Sequence, residues 1–180
     1  MRIVLGIASA LALSCSAVQA MAKGPESGPE ARMIATIDAE QTRTLKFLET
    51  LVNQNSGSRN LEGVRKVRDL VIPEFAALGF VPRWIPMEHT GRAGHLVLTH
   101  KGRKGAKRLL LIGHLDTVFE PDSSFQTFTL KDDKAIGPGV GDDKGGIAVI
   151  LAAVRAMQAA GTLKGANIEV FLTGDEEEAG

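Results

Sequence analysis

The chain has 180 residues, 44% of them hydrophobic and 23% charged, which rules out a wholly disordered or collagen-like polymer. Its 21 basic residues balance its 21 acidic ones, which argues against nucleic-acid binding as the main activity. Aromatic residues make up only 4% and Tyr is absent, too few for a base- or sugar-stacking platform.

Residues 1–20 read as a secretory signal peptide rather than as fold. Arg2 precedes an apolar run, Ile3 to Leu13, followed by small residues up to Ala20. The run falls short of the roughly 20 apolar residues that span a bilayer. A cut after Ala20 or Ala22 fits the small-residue pattern, and a secreted or periplasmic location follows as an expectation. The single cysteine, Cys15, lies in this segment. Lipidation there is a minor alternative, because Ala12-Leu13-Ser14 is a poor lipobox. Cleavage leaves 20 basic against 21 acidic residues and no cysteine, so any metal site must use His, Asp and Glu.

Residues 21–29 are rich in Gly, Pro and polar side chains and read as a flexible leader. Residues 30–180 then carry the folded part. Met33, Ile34, Ile37, Leu45, Leu48, Leu51 and Val52 recur at helical spacing and predict one helix from Glu30 to about Asn53. The polar run from Asn53 to Ser58 ends it. A second helix is expected from Leu61 to Leu78, kinked or shortened by Pro73. Strands are expected at 80–87, 96–99 and 108–113, the last of them continuously apolar and so suited to burial on both faces. Residues 128–130 and 134–136 suggest a hairpin across Asp132-Asp133. A helix from Lys144 to Ala160 and a strand from Ile168 to Thr173 complete the order. Helix, strands, helix, strand indicates an α/β fold with a mainly parallel central sheet.

Three polar clusters sit where strands or loops stop: Gly113-His114-Leu115-Asp116-Thr117-Val118, Gly137 to Gly146, and Thr173-Gly174-Asp175-Glu176-Glu177-Glu178. In open α/β sheets, sites form beyond the carboxyl ends of strands, so the three can share one crevice. His114 and Asp116 are two apart and so face the same way, which lets the carboxylate fix the imidazole tautomer. The Gly-rich cluster lacks the Gly-Lys-Ser/Thr ending of a phosphate loop, and its two Asp residues would repel phosphate. Asp142 or Asp143 can cap the helix that follows. A carboxylate there can also bridge two metal ions about 3.5–4 Å apart. Four carboxylates in succession at 175–178 repel one another unless a cation offsets them, and one of them could act as a general base. His89, His95 and His100 have no such neighbours in sequence and read as structural or solvated.

Together the three clusters closely resemble those of the zinc-dependent exopeptidases related to carboxypeptidase G, acetylornithine deacetylase and succinyl-diaminopimelate desuccinylase. The likeness runs from about Leu45 to Gly180. It implies a three-layer α/β sandwich in which His114 binds one zinc and Asp116 is the supporting catalytic residue. It further implies Asp142 as the carboxylate shared by two zinc ions, followed by a cis peptide, with Glu176 as general base and Glu177 as ligand to the other zinc. Residues 30–180 would be the N-terminal part of a catalytic domain, truncated before a lid or dimerisation domain and before the remaining ligands, and inactive or poorly active alone. The implied substrate is a small peptide or N-acyl amino acid, cleaved by a glutamate carboxypeptidase-like enzyme, an N-acyl amino-acid deacylase, or a di- or aminopeptidase. No membrane or nucleic-acid partner is implied after signal cleavage, while a homodimer through the lid is. A metal-free binding module is the alternative from another class.

Overall fold

The computed structural model describes residues 27–178; the expected signal peptide and most of the leader lie outside them. Four helices and six strands follow in the order α1 (Pro29–Ala39), α2 (Gln41–Val52), α3 (Leu61–Ala76), β1 (Val81–Pro86), β2 (Gly94–His100), β3 (Arg108–His114), β4 (Thr129–Lys131), β5 (Lys134–Ile136), α4 (Lys144–Ala159) and β6 (Asn167–Thr173). Among the described residues, no helix is long and apolar enough to cross a membrane.

The first expected helix is two helices, separated at Glu40, whose φ of −99° and ψ of 9° leave the helical region. The division follows from what each piece buries. α2 places Phe47, Leu48, Leu51 and Val52 in the core, whereas α1 buries nothing fully and lies along α4. α3 keeps Pro73 inside it and runs on to Ala76. Its Asn60 cap accepts a bond from the Gly63 N–H (3.0 Å) and fixes where the helix starts. The hairpin of β4 and β5 turns through Asp132 and Asp133, at φ 48° and 61°. That left-handed pair matches the right-handed twist of the strands.

The main sheet has the order β1-β2-β6-β3. It is mixed rather than mainly parallel: β1 and β2 pair antiparallel, as do β2 and β6, and β3 alone runs parallel to β6. A short connection through 87–93 returns β2 alongside β1, while the long crossover through α4 is what permits the one parallel pair. The register aligns Leu96 with Leu172, and Leu98 with Val170 and Leu111. This face joins α2, α3 and α4 in one core that includes Val64, Val67, Phe75, Ile147 and Leu151. Across the sheet, Val97, Phe171 and Ile112 align on the other face, where Ile112 is 68% and Leu110 53% exposed. The described residues therefore make two layers, not three, and β3 is an edge strand rather than one covered on both sides.

Candidate metal centre

The parallel pairing of β3 with β6 brings the carboxyl ends of both strands to one place. His114 stands opposite Thr173, and the Leu115 N–H extends the ladder to the Thr173 carbonyl at 2.7 Å. The chain beyond β3 supplies His114 and Asp116, the turn beyond β6 supplies Glu176 and Glu177, and the segment before α4 supplies Asp142. His114 Nε2 lies 2.8 Å from Asp142 Oδ1. One donor atom each of His114, Asp142 and Glu177 falls within 4.8 Å of the others. His114 is buried, Glu177 is half-buried, and Asp142 is exposed, its side chain 77% accessible, so the cluster opens to solvent on the Asp142 side.

Asp116, fully buried, is the hub behind this cluster. Its Oδ1 lies 3.3 Å from His114 Nδ1 and accepts the Glu176 N–H at 3.2 Å. Its Oδ2 accepts the Ser58 hydroxyl at 2.6 Å and the Glu177 N–H at 3.2 Å. Burial alone would push this carboxyl up. The His114 and Ser58 bonds and the two backbone donors outweigh burial and hold it below the usual carboxylate range. Burial likewise lowers His114, but hydrogen bonds to Asp116 and Asp142 and the charges of Asp116 and Asp143 carry its imidazole up to about 9. Glu177 is raised, first by burial and then by the charge of Asp142. The expected pairing of His114 with Asp116 is thus present, and Asp116 also orders the backbone of the acidic turn.

The Gly-rich segment separates the roles of its two Asp residues. Asp142 turns to His114, and a cis peptide links it to Asp143. Asp143 takes the N-cap position of α4, and its carboxylate reaches back to accept the His114 N–H at 3.2 Å. Burial raises this carboxyl, against the opposing His114 N–H and charge. Gly113 and Gly146 both border it, and a Cβ on either would overlap its oxygens. Lys144 is also fully buried, with Nζ donating to the Gln54 carbonyl at 2.7 Å, and burial lowers it to about 8.

The acidic turn is less crowded with charge than the sequence suggests. Glu178 pairs with Arg59 at 3.0 Å and Arg92 at 3.7 Å, and Asp175 lies 3.8 Å from His95. Two arginines therefore offset part of the repulsion among the four successive carboxylates. Glu176 is exposed in the short 3-10 turn 176–178. His95 is not an isolated side chain: its Nδ1 accepts the Gly174 N–H at 3.4 Å and its ring packs 5.7 Å from that of Phe171. His100 is structural, bonded through Nδ1 to the Ala166 carbonyl at 2.9 Å. Ser58, Asp143, Lys144 and His95 are the neighbours that sequence reasoning missed or left general. Of these only Asp143 carried a signal, its place before the helix.

The donor chemistry fits a divalent cation. One imidazole nitrogen and two carboxylate oxygens converge, with Asp116 buried behind the imidazole. Comparison with known proteins agrees. Residues 110–180 match the model of peptidase family M20/M25/M40. Carboxypeptidase G2 of Pseudomonas sp. (strain RS-16) is 36% identical over 140 residues, which are 77% of this chain and 34% of that protein. Human carnosine dipeptidase 1 superposes with a TM-score of 0.71 at 21% identity, over 83% of this chain and 35% of that one. The aminopeptidase PepT of Bacillus cereus superposes with a TM-score of 0.65 at 24% identity, over 76% and 37%. The two structural likenesses speak for the fold. The chain spans about a third of the length of the relatives it matches, and over residues 110–180 it is similar to peptidase family M20/M25/M40.

Proposed function

We propose that the whole protein is a metal-dependent exopeptidase that hydrolyses a peptide or amide bond of a small substrate, with carboxypeptidase as its type. The observation that carries this reading is the convergence of His114, Asp142 and Glu177 within 4.8 Å. The carboxypeptidase type rests on the 36% identity with carboxypeptidase G2. In this proposal the ions are zinc, two per site, and His114, Asp142 and Glu177 would hold them. Such ions acidify water and polarise a carbonyl. Export by the N-terminal apolar run would put the enzyme in the periplasm or outside the cell, scavenging peptides or conjugates of glutamate.

The chain's own residues then divide the work. Asp116 holds His114 by Nδ1 and leaves Nε2 facing Asp142. The same carboxylate fixes the backbone N–H groups of Glu176 and Glu177, so the base and a ligand are placed together. Glu176, exposed at the mouth, takes a proton from the attacking water as it adds to the scissile carbonyl carbon. It returns that proton to the amine nitrogen when the C–N bond breaks. The fit of the exposed Asp142 side to solvent leaves room for a substrate to approach. Glu176→Gln in the whole protein tests this: turnover should fall by about 100-fold or more while zinc content stays unchanged. Undiminished hydrolysis by that variant defeats the assignment.

A further inference from the structure

We infer that Ser58 is a positioning residue for this centre, acting through Asp116; the inference rests on the reading proposed above. Asp116 is fully buried and its carboxylate has four polar neighbours, two to each oxygen. Three belong to the clusters that supply the centre: His114 Nδ1 and the N–H groups of Glu176 and Glu177. The fourth, the Ser58 hydroxyl, comes from the loop after α2, and at 2.6 Å it is the shortest of the set. An ionised carboxylate only accepts, so this hydroxyl must donate to Oδ2. A buried carboxylate oxygen that loses such a donor is held less favourably. Without it Oδ2 keeps only the longer bond from the Glu177 N–H at 3.2 Å, and the carboxylate is held less firmly between His114 and the acidic turn. Ser58 thus sets the rotamer on which both the imidazole and the base-bearing turn depend.

The loop that carries Ser58 is itself fixed from two sides. Gly57 forms a parallel bridge with Thr117, where the Ser58 N–H donates to the Thr117 carbonyl (3.2 Å) and the Thr117 N–H to the Ser56 carbonyl (2.9 Å). On the other side, Lys144 Nζ holds the Gln54 carbonyl at 2.7 Å. Lys144 opens α4 two residues after Asp142. The 54–58 loop is therefore tied to the chain segments bearing His114, Asp116 and Asp142 alike. Ser58 is 1% exposed, so its hydroxyl is shielded from bulk solvent.

The test is made on the whole, zinc-loaded protein. Ser58→Ala should lower kcat about tenfold with KM within about twofold, and should weaken zinc binding, read by chelator competition, by about tenfold. Ser58→Thr keeps the hydroxyl and should restore both to within about threefold. An Ala variant with the parent's kcat and zinc affinity overturns the inference. So does an Ala variant whose melting temperature falls while kcat per bound zinc stays constant. Glu176→Gln run in parallel separates the two claims. If it is inert while Ser58→Ala is fully active, only the role of Ser58 falls. If it hydrolyses substrate undiminished, only the role of Glu176 falls; if the parent protein hydrolyses no peptide or amide substrate, the peptidase reading falls, and the zinc-affinity comparison still judges Ser58.

Discussion

His114 Nε2 and Asp142 Oδ1 stand 2.8 Å apart, with Asp116 on the other side of the same ring. An imidazole between two carboxylates binds a proton well, and His114 accordingly titrates near 9 rather than 6.5. A metal ion must displace that proton. Its apparent affinity should therefore rise with pH through neutrality and level off near 9. Calorimetric titration at pH 7 in buffers of different ionisation enthalpy should report release of about one proton per ion bound at this ring. In the metal-free protein the sign is the reverse. The raised pKa makes His114 stabilising below about 6.5, and that contribution is lost as pH rises through about 9. A zinc affinity that stays flat between pH 6 and 9 would contradict this account.

Gly113 and Gly146 leave space for the Asp143 carboxylate, which any Cβ at either position would overlap. The obstacle is a side chain with little freedom, since Asp143 also accepts the His114 N–H. Gly113→Ala or Gly146→Ala should each destabilise the fold by about 1–3 kcal/mol. Adding Asp143→Ala should recover part of that loss, because it removes the obstruction. Urea unfolding of the single and double variants checks the non-additivity, and strictly additive losses would show that Asp143 is not the obstruction.

The α/β class and the elements that frame the site were legible in local pattern. Leu109 to Ile112, the stripe of α4 and the alternation of Ile168, Val170 and Leu172 each announce themselves within a few residues. Strand direction was not legible. Whether β2 runs with or against β6 depends on pairings between residues about 70 apart, such as Leu98 with Val170. The continuous apolar run of β3 suggested burial on both faces, but Leu110 and Ile112 stand on the uncovered face of an edge strand. Around the site, the convergence of the three clusters followed from their places at strand ends, whereas Asp142 rather than Asp143, and Glu177 among the four acidic residues, came from the family resemblance. Ser58 and Lys144 could not be found that way. A serine in a polar turn and a lysine amid Asp and Gly both look solvated, and only tertiary packing buries them.

Arg155 is 6% exposed and bonds closely to Glu74, while its buried NH1 has no hydrogen-bond partner among the described residues. Glu74 also draws Arg43 to 3.8 Å. Removing the carboxylate leaves a guanidinium in the interior with nothing to balance it. Glu74→Ala should cost about 3 kcal/mol. Arg155→Met, which removes the charge and keeps the bulk, should cost under about 1 kcal/mol. Thermal unfolding of the two variants at one pH gives the comparison, and equal losses would mean that the pair itself, rather than the stranded charge, sets the cost.

The two edges of the main sheet differ in how they resist further pairing. β1 carries Pro82 and Pro86, which withhold the N–H groups that a neighbouring strand would need. β3 has no proline, no partner on its outer side among the described residues, and exposed Leu110 and Ile112. Backbone groups and apolar area lie together there, and together they favour edge-to-edge association. The 180-residue chain purified by itself should therefore self-associate as its concentration rises. Ile112→Lys should shift it toward monomer, since a charge on that strand must be desolvated or repelled when two edges meet. Val81→Lys, on the proline-bearing edge, should leave the association unchanged although Val81 is equally exposed at 68%. Light scattering across a concentration series measures both, and a β3 substitution without effect would mean that association, if it occurs, uses another face.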